Sequence, residues 1–131
     1  MRKNIYLLLG LITLSSCYED VYVADERIII EGTVISSNAD VEGATLSIIP
    51  VYTENYSENV FEVYIQNLDY STPFTQFTLD KSGHFTTSVP RNIDENAYVV
   101  SIRKGNVVKT YGYISTVNSN NYYRNLGNLF L

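Results

Sequence analysis

An all-β, antiparallel sandwich of about seven strands is the fold this sequence predicts for residues 27–131. Three observations predict it. Apolar and polar residues alternate in short runs, the two-residue period of a half-buried strand, and no stretch carries a helical period. Gly, Pro, Asn and Asp punctuate those runs at intervals of roughly ten to fifteen residues, a spacing suited to stacked short strands. Among 131 residues there are 12 Tyr and 5 Phe but no Trp. Tyr suits a pleated surface, where its ring packs and its hydroxyl stays wet. Hydrophobic residues make up 45% of the chain, enough for one core and too many for a disordered segment.

The elements follow in order. Arg27 to Ile35 is rich in Ile and Val and reads as a first strand, followed by a loop at Ser36–Glu42 with Asn38 and Asp40. From Gly43 to Val51, Ala44, Leu46 and Ile48 fall on one face with Thr45 and Ser47 on the other. Pro50 lacks an amide donor, so it ends this strand or lies at an edge. Tyr52 to Asn59 is polar and reads as a loop. Val60 to Leu68 alternates again, with Phe61, Val63 and Ile65 expected inward and Glu62, Tyr64 and Gln66 outward. Phe74 to Leu79 is a strand with Phe77 and Leu79 inward. Asp80-Lys81-Ser82-Gly83 is a tight turn in which Gly supplies a positive φ. His84 to Val89 is its partner, stopped by Pro90. Ala97 to Arg103 places Tyr98, Val100 and Ile102 on one face. Lys104-Gly105-Asn106 turns the chain into a strand from Val107 to Ile114. Val117 to Asn125 reads as a polar loop, and Gly127 to Leu131 as a short closing strand.

The first sixteen residues differ in kind. Met1-Arg2-Lys3-Asn4 is a short basic head, and Ile5 to Leu14 is an uninterrupted run with a single polar residue, Thr13. As a helix it would reach about 15 Å, half of a ~30 Å hydrocarbon core. That length suits the h-region of a signal peptide rather than a span. The run closes on Leu14-Ser15-Ser16-Cys17, which resembles the bacterial lipobox: an aliphatic residue and two small ones before the cysteine that receives a diacylglyceryl group. The resemblance implies a signal peptide over residues 1–16 and lipidation at Cys17, the only cysteine. Residues 17–26 then form a lipidated acidic tether. Tyr18 to Glu26 holds four acids and no base and resembles the acidic export signal of surface lipoproteins of Bacteroidota. The expected location is therefore the outer membrane, lipid-anchored and surface-exposed, with the periplasmic face as the alternative.

Charge excludes several classes. The formal net charge is −5 with nine Lys and Arg against 14 Asp and Glu. Removal of Arg2 and Lys3 with the leader leaves seven bases against 14 acids, a net −7. Nucleic acid needs a basic face, and an acidic domain has no polybasic grip on anionic lipid. With one cysteine there is no intrachain disulfide and no thiolate zinc cluster.

Five motifs are spread along the domain. Ile30-Glu31-Gly32-Thr33-Val34, Val41-Glu42-Gly43-Ala44-Thr45-Leu46-Ser47-Ile48, Thr78-Leu79-Asp80-Lys81-Ser82-Gly83-His84-Phe85 with Pro90, Ala97-Tyr98-Val99-Val100-Ser101-Ile102, and Leu126-Gly127-Asn128-Leu129-Phe130-Leu131 are similar, in that order, to the carboxypeptidase-regulatory-like family. The resemblance implies a transthyretin-like (prealbumin-like) sandwich, no catalytic residues, and a stability, spacer or interaction role. The longer stretch between Val51 and Phe74 departs from the compact family pattern and leaves the topology of residues 52–73 open.

A search for chemistry is consistent with a protein that is not an enzyme and uses no cofactor and no metal. His84 is the only histidine and follows the turn glycine, without the nucleophile and orienting acid that catalysis needs. Glu54, Glu58, Glu62 and Asp69 fall in loops or on outward positions, where a solvated charge is the ordinary state. Asp80-Lys81-Ser82-Gly83 is too short for a calcium loop. The tyrosines stand out instead. Tyr52, Tyr56, Tyr64 and Tyr70 fall in the middle stretch, and Tyr111, Tyr113, Tyr122 and Tyr123 near the C-terminal end. They are the candidate ligand contacts, since exposed aromatics stack on sugar rings or anchor protein interfaces. For each one alone, strand propensity and partial burial suffice as an explanation. The expected function is a non-catalytic, lipid-anchored interaction module with a protein partner in the envelope. The alternative is carbohydrate binding through exposed tyrosines.

Overall fold

The computed structural model describes residues 26–54, 60–91, 97–115 and 122–131. These form eight strands: β1 (Arg27–Ile35), β2 (Thr45–Val51), β3 (Phe61–Glu62), β4 (Thr75–Thr78), β5 (His84–Pro90), β6 (Ala97–Lys104), β7 (Val107–Ser115) and β8 (Tyr123–Phe130). They make two sheets, a three-stranded one in the order β5-β1-β8 and a five-stranded one in the order β3-β7-β6-β2-β4. Every pairing is antiparallel except β1 with β8. The all-β sandwich expected from the alternation is the fold observed, with eight strands in place of about seven.

The alternation decides which side of each strand faces the core. Ile28, Ile30 and Val34 of β1, with Phe85 and Val89 of β5 and Leu129 of β8, supply the three-stranded side. Leu46 and Ile48 of β2 and Tyr98, Val100 and Ile102 of β6 supply the other, joined by Tyr111 and Ile114 of β7. Phe77 of β4 packs against this cluster, and Leu79 is part of it. Gly32 sits inside β1 where a Cβ would lie 2.9 Å from the Phe85 ring, so the missing side chain is what lets that ring lie across the strand.

Four elements differ from the sequence expectation. His84 to Val89, expected to partner the strand before the Asp80–Gly83 turn, pairs with β1 in the other sheet, while β4 pairs with β2. The alternating run Val60–Leu68 forms only a two-residue strand, because β3 pairs with β7 solely at Phe61↔Gly112 and Glu62↔Tyr111 and the chain then leaves the edge. Phe61, expected inward, is exposed. Tyr123, Arg124 and Asn125, expected in a loop, belong to β8. Parallel pairing with β1 recruits them, from Ile29↔Tyr123 to Glu31↔Asn125, and the Tyr123 hydroxyl donates to Glu31 Oε2 at 2.8 Å. Gly127, expected to open a strand, instead sits within β8 at φ +67°, where the β1–β8 register shifts between Glu31 and Thr33. It is the residue that accommodates the bulge. Pro50 stays within β2, opposite Tyr98.

Turns join the two sheets covalently, and tyrosine hydroxyls bridge them: Tyr98 of β6 donates to the Pro90 carbonyl of β5 at 2.8 Å. Tyr111, on β7, donates from its hydroxyl to the Phe130 carbonyl of β8 at 2.7 Å and accepts from the Phe130 amide at 3.1 Å. Tyr111→Phe keeps the buried ring and removes both bonds. The expected loss is about 1–2 kcal/mol for two hydrogen bonds, measured by urea denaturation with an unchanged m-value.

Candidate functional site

The middle of the chain makes the site, for a topological reason. β3 lies at one edge of the five-stranded sheet and β4 at the other, so the chain between them must traverse four strand spacings, about 19 Å. The crossing starts where the Val63 amide donates to the Thr110 carbonyl of β7 and ends where the Phe74 amide donates to the Ile48 carbonyl of β2, both at 2.8 Å. It turns at Gln66-Asn67, with Asn67 at φ 60°, a left-handed conformation that Asn tolerates.

Beneath the crossing lies the sheet face turned away from the core. Strand register arranges its side chains in rows. Thr110, Ser101, Ser47 and Gln76 are successive partners across β7, β6, β2 and β4. Val108, Arg103, Thr45 and Thr78 form the adjacent row. Rows repeat across strands about 4.8 Å apart. Ser101 is only 2% exposed, Thr110 7% and Ser47 8%, although all three are on the outer face. None of these three side chains hydrogen-bonds another described residue, and no buried oxygen in the described structure is left without a partner. Their hydroxyls are therefore open to the space under the crossing.

That space has two compartments divided by Tyr70. The larger, about 440 Å³, is lined by Tyr64, Ile65, Tyr70, Val108 and Thr110 among others. The smaller, about 110 Å³, is lined by Thr45, Ser47, Tyr70, Gln76, Ser101 and Arg103. The Arg103 guanidinium lies 5.0 Å from the centroid of the Tyr70 ring, within cation–π range. A carboxylate, Glu62, borders the larger compartment, but Lys109 Nζ holds it at 2.8 and 3.1 Å. The Glu62 carboxylate in turn raises the Lys109 ammonium above its ordinary value.

Asp69 shapes the crossing just before Tyr70. Its Oδ1 accepts from the Ser71 amide at 2.8 Å and the Ser71 hydroxyl at 2.5 Å, and its Oδ2 accepts from the Thr72 hydroxyl at 3.2 Å. The Ser71 hydroxyl, then the Ser71 amide, hold its carboxyl below the usual carboxylate range. A depressed folded-state pKa contributes order above the unfolded value of about 3.9 and loses it as pH falls through the folded value. NMR of the Ser71 amide and the Tyr70 ring is expected to report loosening of this loop only below about pH 4, with the β1 and β6 amides unmoved. Asp69→Asn should remove the transition.

The sequence-identified tyrosines do not form one platform. Tyr64, 89% exposed, and Tyr70 share the groove. Tyr111 is buried and committed to Phe130. Tyr113 is half-buried on β7. Tyr52 is exposed past the end of β2. Tyr122 lies under the Arg91 guanidinium at 5.4 Å, and Tyr123 is bonded to Glu31 of the three-stranded sheet. Cys17 and Tyr56 lie outside the described residues, as does Glu58. Glu54 is exposed, and His84 is exposed at the start of β5. Among the described residues no three His, Cys, Asp or Glu side chains gather as a metal site, and no helix is long and apolar enough to cross a membrane.

Sequence reasoning missed Arg103, Ser47, Ser101, Thr110 and Gln76. Their signal was weak: outward positions on strands whose other face is core, where small polar residues are ordinary. The stronger signal was the excess length between Val51 and Phe74, since a long connection in a compact domain is commonly functional. Comparison with protein-family models and with curated proteins finds no match for this chain.

Proposed function

We propose that the chain is a non-catalytic binding module, held at the outer membrane by lipid on Cys17 and presenting its outer sheet face to an envelope ligand. The observation that supports this reading is the crossing itself. Residues 63–74 add no side chain to the buried core cluster and touch it through Phe74 on Tyr98, yet they border a 440 Å³ space within the range of small-ligand pockets. Tyr64 and Tyr70 wall it beside Thr110, and the smaller compartment next to it is lined by Ser47, Ser101 and Gln76. The lipobox at Leu14–Cys17 and the acidic tether support the anchor. The five quoted motifs, which lie on or beside β1, β2, the β4–β5 turn, β6 and β8, support kinship with carboxypeptidase-regulatory-like, transthyretin-like domains.

A photo-crosslinking residue in place of Tyr64, in the lipid-anchored protein in its native envelope, tests the reading. Tyr64 is the most exposed groove side chain. The control is the same residue in place of Thr86, exposed on β5 of the other sheet. A discrete adduct at 64 and none at 86 is expected. No adduct at either position, or equal adducts at both, would overturn it.

Of the two classes the sequence allowed, the groove favours carbohydrate. The smaller compartment is lined by hydroxyls and one amide with Tyr70 beside them, while Val63, Ile65 and Val108 give the larger one apolar walls like those on which sugar rings stack.

A further inference from the structure

The geometry points to an acidic saccharide, a chain containing uronic acid, as the ligand of the groove, with Arg103 taking the carboxylate. This rests on the binding-module reading above and adds the ligand's charge and the residue that reads it.

Four observations lead there. First, the row Thr110–Ser101–Ser47–Gln76 presents groups that both donate and accept, fixed on three central strands and one edge strand of a sheet. A hydroxyl can do either, so the row matches a ligand that is itself a series of hydroxyls. A peptide would instead need an apolar pocket or a free strand edge. Second, the Ser47, Ser101 and Thr110 hydroxyls are unpartnered among the described residues though their side chains are more than nine-tenths buried. Groups so confined bond to water until a ligand replaces it. Third, Tyr70 borders both compartments, so a ligand running along the row passes against its ring. Fourth, Arg103 has no carboxylate partner among the described residues. Its one recorded contact is the Tyr70 face. Arginines on the other sheet are tied down by contrast: Arg27 to Ser88 and Arg91 to Glu26. An arginine over the face of an aromatic ring uses none of its N–H donors in a salt bridge and keeps that fork available to a planar carboxylate.

The chain's net charge of −5 does not oppose this. Charges beyond about 8 Å are largely screened at physiological salt, and the groups facing the groove sum differently. Glu62, Lys109, Asp69 and Arg103 sum to zero: Glu62 is paired with Lys109, Asp69 bonds within its own loop, and Arg103 is the cation left facing the groove. The anion is recognised by contact rather than by a long-range field.

The test uses the full lipidated protein in detergent micelles and isothermal titration at two salt concentrations. The ligands are an oligogalacturonate, the same oligomer with its carboxyls methyl-esterified, a neutral glucan of equal length, and oligoglutamate. Binding of the oligogalacturonate is expected, weaker by roughly tenfold or more for its ester and for Arg103→Gln, the loss typical of a charged hydrogen-bonding pair. Lys81→Gln, which removes the same charge from the exposed β4–β5 turn, should bind as the parent does. Tyr70→Ala should abolish binding of every saccharide. Circular dichroism melting confirms that each variant folds. Three results would overturn the proposal. Equal affinity for ester and acid with no effect of Arg103→Gln would leave a saccharide groove without acid selectivity. Preference for oligoglutamate would make the ligand a peptide. No binding of any ligand, with the adduct at position 64 still formed, would leave the module and remove its saccharide.

Discussion

Cys17→Ser is expected to move the protein from the membrane to the soluble fraction. Each buried methylene is worth about 0.8 kcal/mol, and one myristoyl chain alone gives only marginal binding, near 10⁴ M⁻¹, whereas two chains anchor stably. A diacylglyceryl group on Cys17 supplies at least two. Electrostatic attraction would not replace it, because residues 17–131 carry a net charge near −7, which repels an anionic leaflet. Serine has no thiolate to accept the lipid, so processing stops with residues 1–16 still attached. The expected result is a carbonate-extractable protein with the mass of the unprocessed chain, against a membrane-retained parent heavier than residues 17–131 by its acyl groups. A Cys17→Ser protein that stays in the membrane after carbonate extraction with its leader removed would rule out this anchor.

Gly83→Ala is expected to be the most destabilising single-methyl change in the turn that carries the chain from β4 in one sheet to β5 in the other. Gly83 has φ +65°, and a Cβ there would lie 2.2 Å from the Val34 carbonyl oxygen of β1 and 3.0 Å from a Val41 methyl. The left-handed conformation costs a non-glycine residue about 1 kcal/mol. The contact with Val34 is with backbone, which cannot rotate away as a side chain tip can. That oxygen belongs to a residue whose own amide donates to the Gly83 carbonyl at 2.8 Å, so relief of the clash would open the β1–β5 junction. Strain and overpacking together predict a loss of roughly 2–4 kcal/mol, a large share of a small domain's stability. Gly105→Ala is the comparison: φ is +58° but nothing lies within 4 Å of the added carbon. It should cost only about 1 kcal/mol. Equal losses for the two variants in urea denaturation would show that conformational strain alone, and not the Val34 contact, sets the cost at Gly83.

The contrast between these glycines shows where the sequence was sufficient. Asp80-Lys81-Ser82-Gly83 announced its turn through local chemistry, and the structure adds the Asp80 carboxylate accepting from the Ser82 amide at 2.9 Å. The core positions of β2 and β6 were legible for the same kind of reason. Side chains two residues apart share a face, so Leu46 and Ile48, or Val100 and Ile102, must be buried together if one is.

The groove was not legible. Arg103 and Thr45 are 58 positions apart, and they become neighbours only because β6 pairs with β2 in one register. Val60 to Leu68 carried a strand's alternation, yet pairing was available for Phe61 and Glu62 alone. The rest of the run took the route that connects opposite edges of the sheet. Parallel pairing of β8 with β1 was equally hidden, since Tyr123 to Asn125 have polar side chains and gained their place from a neighbouring strand's backbone.

By itself the sequence determined the sandwich class, the inward faces of the central strands, the turns, and the lipobox expectation at Cys17. All of these depend on residues within a few positions of one another. Only the tertiary structure decided which sheet each strand joined, which tyrosines stood together, and that a row of hydroxyls beside Arg103 lay beneath residues 63–74. Those depend on strand order and register, and backbone hydrogen bonds, identical at every residue, leave little trace of either in side-chain identity.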